Sequence, residues 1–262
     1  MTPAQLFDAL AIPIGALLYV QSSADWLARA GFSAVDTLAA LQDRTAGTGT
    51  LVMPSYPFHG THRDYLETTP VFDVVRTPSA VGLLPEMFRR TKGVRRSLDP
   101  DFCVSAFGQA ADDIVGVAPA APDPFGADSS YQRMLDRHCT LIGLGVSLNT
   151  HSFIHVIDSR AEPGYPLPVY DDRVFSASLI DGRGERRTIE RKALRPEFQQ
   201  RTRPAQINET MRPGAQAFCM TEISGAHFFK WDLDAWSAWC LEHAREQASR
   251  SEWPCWLTGI GE

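Results

Sequence analysis

The chain has 262 residues, enough for one large α/β domain or two small ones. A hydrophobic content of 44% supports a sizeable core and excludes a disordered chain. Twenty-five basic against thirty-one acidic residues leave a net charge of −6, which suits a soluble enzyme and gives no support to nonspecific nucleic-acid binding.

PAQLFDAL at 3–10 reads as a short helix and ALLYV at 16–20 as a buried strand, apolar throughout and ending at polar QSS. ADWLARAG carries helical spacing with a Gly stop, and VDTLAALQDR at 35–44 reads as the next helix. TLVMP at 50–54 is a second core strand. The stretch from Ser55 to Ser79 holds no sustained period and reads as a long, substrate-facing connection. VGLLPEMFRRT predicts a helix, VSAFG at 104–108 a short strand, and the Pro-rich span from Val117 to Phe125 a loop. SSYQRMLDR predicts a helix, TLIGLGV at 140–146 the most strand-like run of the chain, and HSFIHVIDSRA the helix after it. Strand, loop and helix repeated in this way predict a central mixed sheet flanked by helices. Beyond Pro163, YPLPVYDDRVFSASLIDG predicts additional antiparallel strands, and WDLDAWSAWCLEHAREQ a C-terminal amphipathic helix. With no repeat and no linker, residues 1–262 read as one α/β domain.

The five cysteines, Cys103, Cys139, Cys219, Cys240 and Cys255, are odd in number and scattered, which fits neither a disulfide framework nor a zinc ribbon. The N-terminus lacks a basic head, and its apolar run is too short to span a bilayer. The expectation is a soluble, cytoplasmic protein without a membrane partner.

HSFIH has the spacing of a zinc-binding HExxH helix, but Ser152 stands where the general-base Glu would be. His151, His155 and Asp158 on one helical face leave a metal site open as a reading. Acid–base use of His155 is the stronger one. This histidine opens a helix entered from the carboxyl end of a sheet strand, where ligands of open α/β sheets collect. Asp158, one turn on, would fix its tautomer and stabilise the imidazolium. The preceding GLGVSLNT offers backbone N–H groups for an anion or oxyanion but no dinucleotide fingerprint. Cys103 and Cys139, neither in a nucleophile-elbow context, and Ser22, with no adjacent base visible in the sequence, are the rival nucleophiles. FRRTKGVRR at 88–96, with four Arg and one Lys, reads either as a phosphate contact or as a solvated helix end.

Taken together, LLYVQSS, GTLVMPSYPF, RTPSAVGLLPEMFRRTKGVRRSLDP, PFGADSSYQRMLD and LIGLGVSLNTHSFIHVIDSRA resemble, in order and spacing, the aminoglycoside 3-N-acetyltransferase family of antibiotic N-acetyltransferases. The resemblance runs from about residue 7 to 245 and is strongest over 49–161. It implies a compact α/β sandwich with a small extra sheet. It also implies a transferase that moves an acetyl group from acetyl-coenzyme A to an amine of an aminoglycoside or amino sugar, an activity tied to antibiotic resistance. His155 and Asp158 fall on the family's catalytic positions. Ser22, Ser23, Thr77, Ser79, Gly145 and Ser147 fall where the acyl donor is expected, and Asp99, Tyr56 and His151 beside the acceptor.

Three departures bear on the acceptor. QSS replaces the usual HSS, placing Gln21 at a His position. RRSLDPDFC replaces RSLHPTHS, so Asp99 and Phe102 stand for two histidines. Asn149 and His151 occupy positions that commonly hold an Asp and an Asn. A metal-dependent hydrolase and a catalytically silent ligand-binding homologue are the alternatives. Trp231, Trp236 and Trp239 are candidates for a homodimer contact or for packing of the last helix.

Overall fold

The computed structural model describes residues 1–116, 121–161, 164–165 and 167–258. The first half of the expected loop from Val117 to Phe125, and Pro163, where the sequence pattern changes, lie outside them. In chain order the elements begin α1 (Pro3–Ala9), β1 (Leu17–Ser22), α2 (Ala24–Arg29), α3 (Ala34–Arg44), β2 (Thr50–Pro54), α4 (His62–Glu67) and β3 (Val71–Asp73). They continue α5 (Leu83–Arg89), β4 (Arg95–Arg96), β5 (Val104–Gly108), α6 (Ala111–Val115), α7 (Ser130–Leu135), β6 (Thr140–Leu144) and α8 (Ile154–Ala161). The last third holds β7 (Tyr170–Ile180), β8 (Arg186–Leu194), α9 (Pro196–Arg201), α10 (Ala205–Met211), β9 (Phe218–Ile223), β10 (Ala226–Asp232) and α11 (Leu233–Ser249).

Seven strands form a mixed sheet in the order β4-β5-β2-β1-β6-β10-β9, and three form a small sheet β3-β7-β8. The expected central mixed sheet and smaller additional sheet are both present. β1 runs parallel to both β2 and β6, and the flanking β5 and β10 run antiparallel to their neighbours. The central strands are apolar on both faces because both faces are covered. Leu18, Val20, Ile142 and Leu144 pack with α1, α3 and α5 on one side. Tyr19, Leu141 and Trp231 pack with α6, α7, α8 and α11 on the other.

The stretch from Ser55 to Ser79 is more ordered than its sequence predicts. Thr61 caps α4, its hydroxyl accepting the Asp64 N–H at 3.2 Å. β3 exists only through parallel pairing with β7, where Val71 lies opposite Ser178. A three-residue strand whose partner lies a hundred residues away leaves no local period to read. The antiparallel expectation for the last third holds for β7 and β8. The C-terminal helix starts later than its sequence predicts: Trp231 lies on β10, and the Asp232 carboxylate caps α11 by accepting from Asp234 and Ala235.

Trp231 and Trp236 are buried in the core of their own chain, while half-buried Trp239 stacks on His243 at 4.7 Å. The first two therefore pack the last helix rather than a second subunit. Among the described residues no helix is long and apolar enough to cross a membrane.

Candidate active site

Three parallel strands end along one edge of the large sheet. Ser22 pairs in register with Leu144 at the carboxyl ends of β1 and β6, and β2 ends next door at Pro54. The chain leaves β6 through Gly145, whose φ of +69° suits glycine and where a Cβ would come within 2.7 Å of Trp26. A short turn follows, and α8 begins at Ile154. His155 thus opens the helix at the edge where open α/β sheets bind their ligands.

The His155 ring is 12% exposed and tilts against Phe125 at 5.3 Å between centroids. Its Nδ1 is buried without a hydrogen-bond partner and faces Asp158 Oδ2, equally unpartnered, across 3.7 Å. The other carboxylate oxygen, Oδ1, accepts from Trp256 Nε1–H at 2.9 Å and from the Tyr165 hydroxyl at 3.1 Å. Burial and the neighbouring Asp158 push the Tyr165 phenol up, so it keeps its proton and donates. A fully buried carboxylate aimed at one imidazole nitrogen, with the other nitrogen left open, is an arrangement for accepting a proton at Nε2.

His151 does not share a helical face with His155, because the helix starts only after it. Its ring stacks on Trp236 at 4.4 Å, and neither nitrogen has a hydrogen-bond partner. Burial lowers its pKa to about 3, so it is neutral at pH 7. Among the described residues no group of three His, Cys, Asp or Glu side chains is placed to hold a metal ion. The metal-dependent hydrolase reading is set aside on this geometry.

A cleft of about 430 Å³ at the same edge is lined by Ser22, Ser23, Asp25, His59, Ala80 and Gly82, among others. Ser22 Oγ is buried there without a partner, whereas Ser23 Oγ caps α2 by accepting the Trp26 N–H. Thr77 and Ser79 precede the Ala80–Leu83 wall and are not among the residues that line the cleft. The Thr77 hydroxyl accepts the Asp73 N–H at 2.8 Å, and the Ser79 N–H donates to Glu86 at 2.8 Å. The loop expected to supply oxyanion donors has spent several of them. The Gly145 N–H bonds to the His227 carbonyl, and the Asn149 and Thr150 N–H groups bond to Ser147.

Tyr56 is half-buried, and its hydroxyl donates to Ser152 Oγ at 2.8 Å while touching those of Tyr19 and Tyr131. It braces the turn that leads into His155. Asp99 is 2% exposed and faces Arg191 at 3.3 Å, so its carboxylate is turned into the protein rather than toward an acceptor. Phe102 is likewise packed, 4.7 Å from the His62 ring and 4.6 Å from Phe125. The departure at Asp99 and Phe102 is thus a pair of exchanges inside the core. At the first departure, Gln21 is 6% exposed, with its Oε1 unpartnered.

The rival thiols are closed off: burial pushes Cys103 up to about 11, its Sγ donating to the Ser55 carbonyl, and raises Cys139 further. In the basic stretch, Arg89 and Arg90 pair with Glu86 and Arg95 with Asp112. Arg96 bonds to Ser55 and to the Thr77 carbonyl. The sequence reading missed Tyr165, Trp256 and Phe125. Trp256 lies 98 positions from Asp158, and no local pattern marks it.

The profile for aminoglycoside 3-N-acetyltransferases matches residues 19–224. The chain belongs to this family. Aminoglycoside N(3)-acetyltransferase VIII of Streptomyces fradiae is 34% identical over 94 residues, 36% of this chain and 32% of that protein. Aminoglycoside N(3)-acetyltransferase VII of Streptomyces paromomycinus is 28% identical over 159 residues, 55% of this chain and 54% of that one. The chain thus spans about half or less of these curated family members. Solved structures extend the likeness over nearly the whole fold. YokD from Bacillus subtilis is 22% identical, with a TM-score of 0.71 over 92% of each chain. AAC-IIIb, solved as a binary complex with CoASH, is 20% identical, with a TM-score of 0.72 over 93% of this chain and 95% of that one. AAC-VIa, solved bound to sisomicin, is 19% identical, with a TM-score of 0.69 over 92% and 96%.

Proposed function

We propose that the protein is a coenzyme A-dependent N-acyltransferase that moves an acetyl or other short acyl group to an amine of an aminoglycoside or related amino sugar. The observation that carries this reading is the His155–Asp158 pair, buried on its Asp side and open at Nε2, inside the segment matched by the family. An alkyl amine is mostly protonated at pH 7 and attacks a thioester only as the free base. In a ternary complex His155 Nε2 takes a proton as the amine nitrogen bonds to the thioester carbonyl carbon. The C–S bond then breaks, and the departing thiolate regains a proton from the imidazolium. Asp158 Oδ2 holds the Nδ1–H tautomer and offsets the imidazolium charge once the 3.7 Å gap shortens to about 2.9 Å.

The acyl donor enters through the cleft at Ser22, Ser23 and Ala80 on this reading. Ser22 Oγ, a hydroxyl without a partner, is the group best suited to the thioester oxygen. Ser23 lines the cleft, Thr77, Ser79, Gly145 and Ser147 serve its approach rather than donate to the reacting atoms, and His151 and Tyr56 border the acceptor side as neutral groups. The partners are acyl-coenzyme A and a small amine, in the cytoplasm where that donor is made. The net charge of −6 favours a polycationic acceptor over nucleic acid.

Incubation with acetyl-coenzyme A and a panel of aminoglycosides and amino-sugar nucleotides tests the reading by release of free thiol. Acyl transfer to at least one acceptor is expected. Binding of acetyl-coenzyme A without turnover on any of them would favour the silent homologue instead.

A further inference from the structure

Asp158 is fixed from a part of the chain far from the catalytic helix. Both donors to its Oδ1, the indole of Trp256 and the phenol of Tyr165, lie outside α8. An indole N–H can only donate, so it selects an acceptor, and here that acceptor is the carboxylate oxygen turned away from His155. Trp256 is itself fully buried and tied down on both sides. Its carbonyl accepts the Arg203 N–H at 2.6 Å, and the following Leu257 bridges to Thr202. Two donors on one oxygen set both torsions of a short Asp side chain. The oxygen left over, Oδ2, then faces His155 Nδ1 across 3.7 Å.

We infer that Trp256, seconded by Tyr165, is the positioning residue of the acyl-transfer site: it clamps Asp158 so that Oδ2 holds the proton on His155 Nδ1 and leaves the Nε2 lone pair for the amine. The catalytic consequence rests on the acyltransferase reading, but the tautomer it fixes is a property of the protein alone. The tetrad of Trp256, Tyr165, Asp158 and His155 joins the end of the described chain to the mouth of the sheet.

Trp256→Phe keeps most of the ring and removes only the donor. The first measurement is nitrogen NMR of the histidine side chains, with His155 assigned by the signal lost in His155→Ala. It needs no acceptor, so it decides the clamp even if the transferase reading fails. In the parent protein neutral His155 should carry its proton on Nδ1, and in Trp256→Phe it should become a mixture of tautomers. With a proven acceptor, kcat should fall about tenfold, the loss of one hydrogen bond to a charged group, while KM for acetyl-coenzyme A stays within about twofold. In an Asp158→Ala background the same substitution should cost no further kcat, because Trp256 acts through that carboxylate. A folded Trp256→Phe protein with the parent tautomer would overturn the inference, as would losses that add in the Asp158→Ala background. Should Trp256→Phe fail to fold, Tyr165→Phe removes the second donor with the indole intact. It is expected to shift the same tautomer balance, and an unchanged balance there would count equally against the clamp.

Discussion

Among the described residues two histidines face a fully buried aspartate, and the two pairs are built in opposite ways. His62 Nε2 meets Asp101 Oδ2 at 2.8 Å with both side chains fully buried. Every polar atom of that pair is used: His62 Nδ1 accepts the Leu194 N–H, and Asp101 Oδ1 accepts from Arg191 Nε and from the Phe102 N–H. The pair joins α4, the loop before β5 and strand β8, and so fastens the small sheet to the large one. His155 and Asp158 stand further apart, at 3.7 Å, with one atom of each left unbonded and the ring reaching the surface. Proximity of His to Asp therefore does not mark a proton-transfer site. What separates the two pairs is unused hydrogen-bonding capacity, since buried polar groups are otherwise almost always satisfied.

The electrostatics differ in the same sense. Burial would raise Asp101, but the Arg191 charge and the bonds from Asp99 and His62 outweigh it and hold it well below the usual carboxylate range. Asp99, buried and beside that negative charge, is pushed the other way and is the member that retains a proton more readily. Arg191 thus neutralises a shared site that contains no reacting group.

The contrast is broken most sharply by exchanging one histidine at a time. His155→Ala should fold normally and lose roughly 10²–10⁴-fold in kcat, the usual cost of removing a general base. Asp158→Asn should fall in the same direction by less. His62→Ala should instead lower thermal stability while leaving kcat per folded molecule near the parent value. Circular dichroism beside steady-state kinetics separates the two, and a folded His155→Ala enzyme with near-normal kcat would remove it from the mechanism.

At the fastening site, Arg191→Met leaves two buried carboxylates without their cation. Denaturant unfolding should show a loss of about 3–5 kcal/mol, as for other buried pairs broken from one side. A loss below about 1 kcal/mol would mean that Asp99 and Asp101 simply share a proton and need no counter-ion.

His151 sharpens the comparison through pH. Its folded pKa of about 3 lies below the ordinary 6.5, so the unfolded chain binds more protons between these values. Stability should therefore fall as the pH drops from 6.5 toward 3, by up to about 1.4 kcal/mol per unit from this group. Denaturation midpoints of parent and His151→Phe at pH 7 and pH 5 should diverge, the variant losing less. Parallel losses would show that the ring is solvated in solution.

The smallest effect is expected at Glu86, held at about 2 by hydrogen bonds from Arg89 against an ordinary 4.5. The stability it contributes is present above 4.5 and lost as the pH falls toward 2. Glu86→Gln should cost about 1 kcal/mol near neutrality and flatten that acid limb. An unchanged limb would place the acid sensitivity elsewhere.

Why one pair was legible in the sequence and the other was not follows from spacing. His155 and Asp158 are three residues apart on one helix, so periodicity alone sets them side by side. His62 and Asp101 are 39 positions apart, in a stretch that reads as irregular, and nothing local connects them. Periodicity could say nothing of Asp99 and Phe102, and Asp99 was placed beside the acceptor only because the two stand where the resembled family has histidines. Their burial depends on Arg191 of β8 and on the rings of Phe58 and Phe125, which no window around residue 100 contains.

Taken alone, the sequence determined the central strands, most of the helices and the placing of His155 after a buried strand. These rest on local apolar periods and on capping residues such as Ser23 and Ser33, which act within a few positions. Only the tertiary structure decided where the small sheet pairs, which thiols are sealed, that His151 stacks on Trp236, and which oxygen of Asp158 is left over. Each of those depends on contacts between segments tens to more than a hundred residues apart, and their geometry is set by packing of the whole chain rather than by any stretch of it.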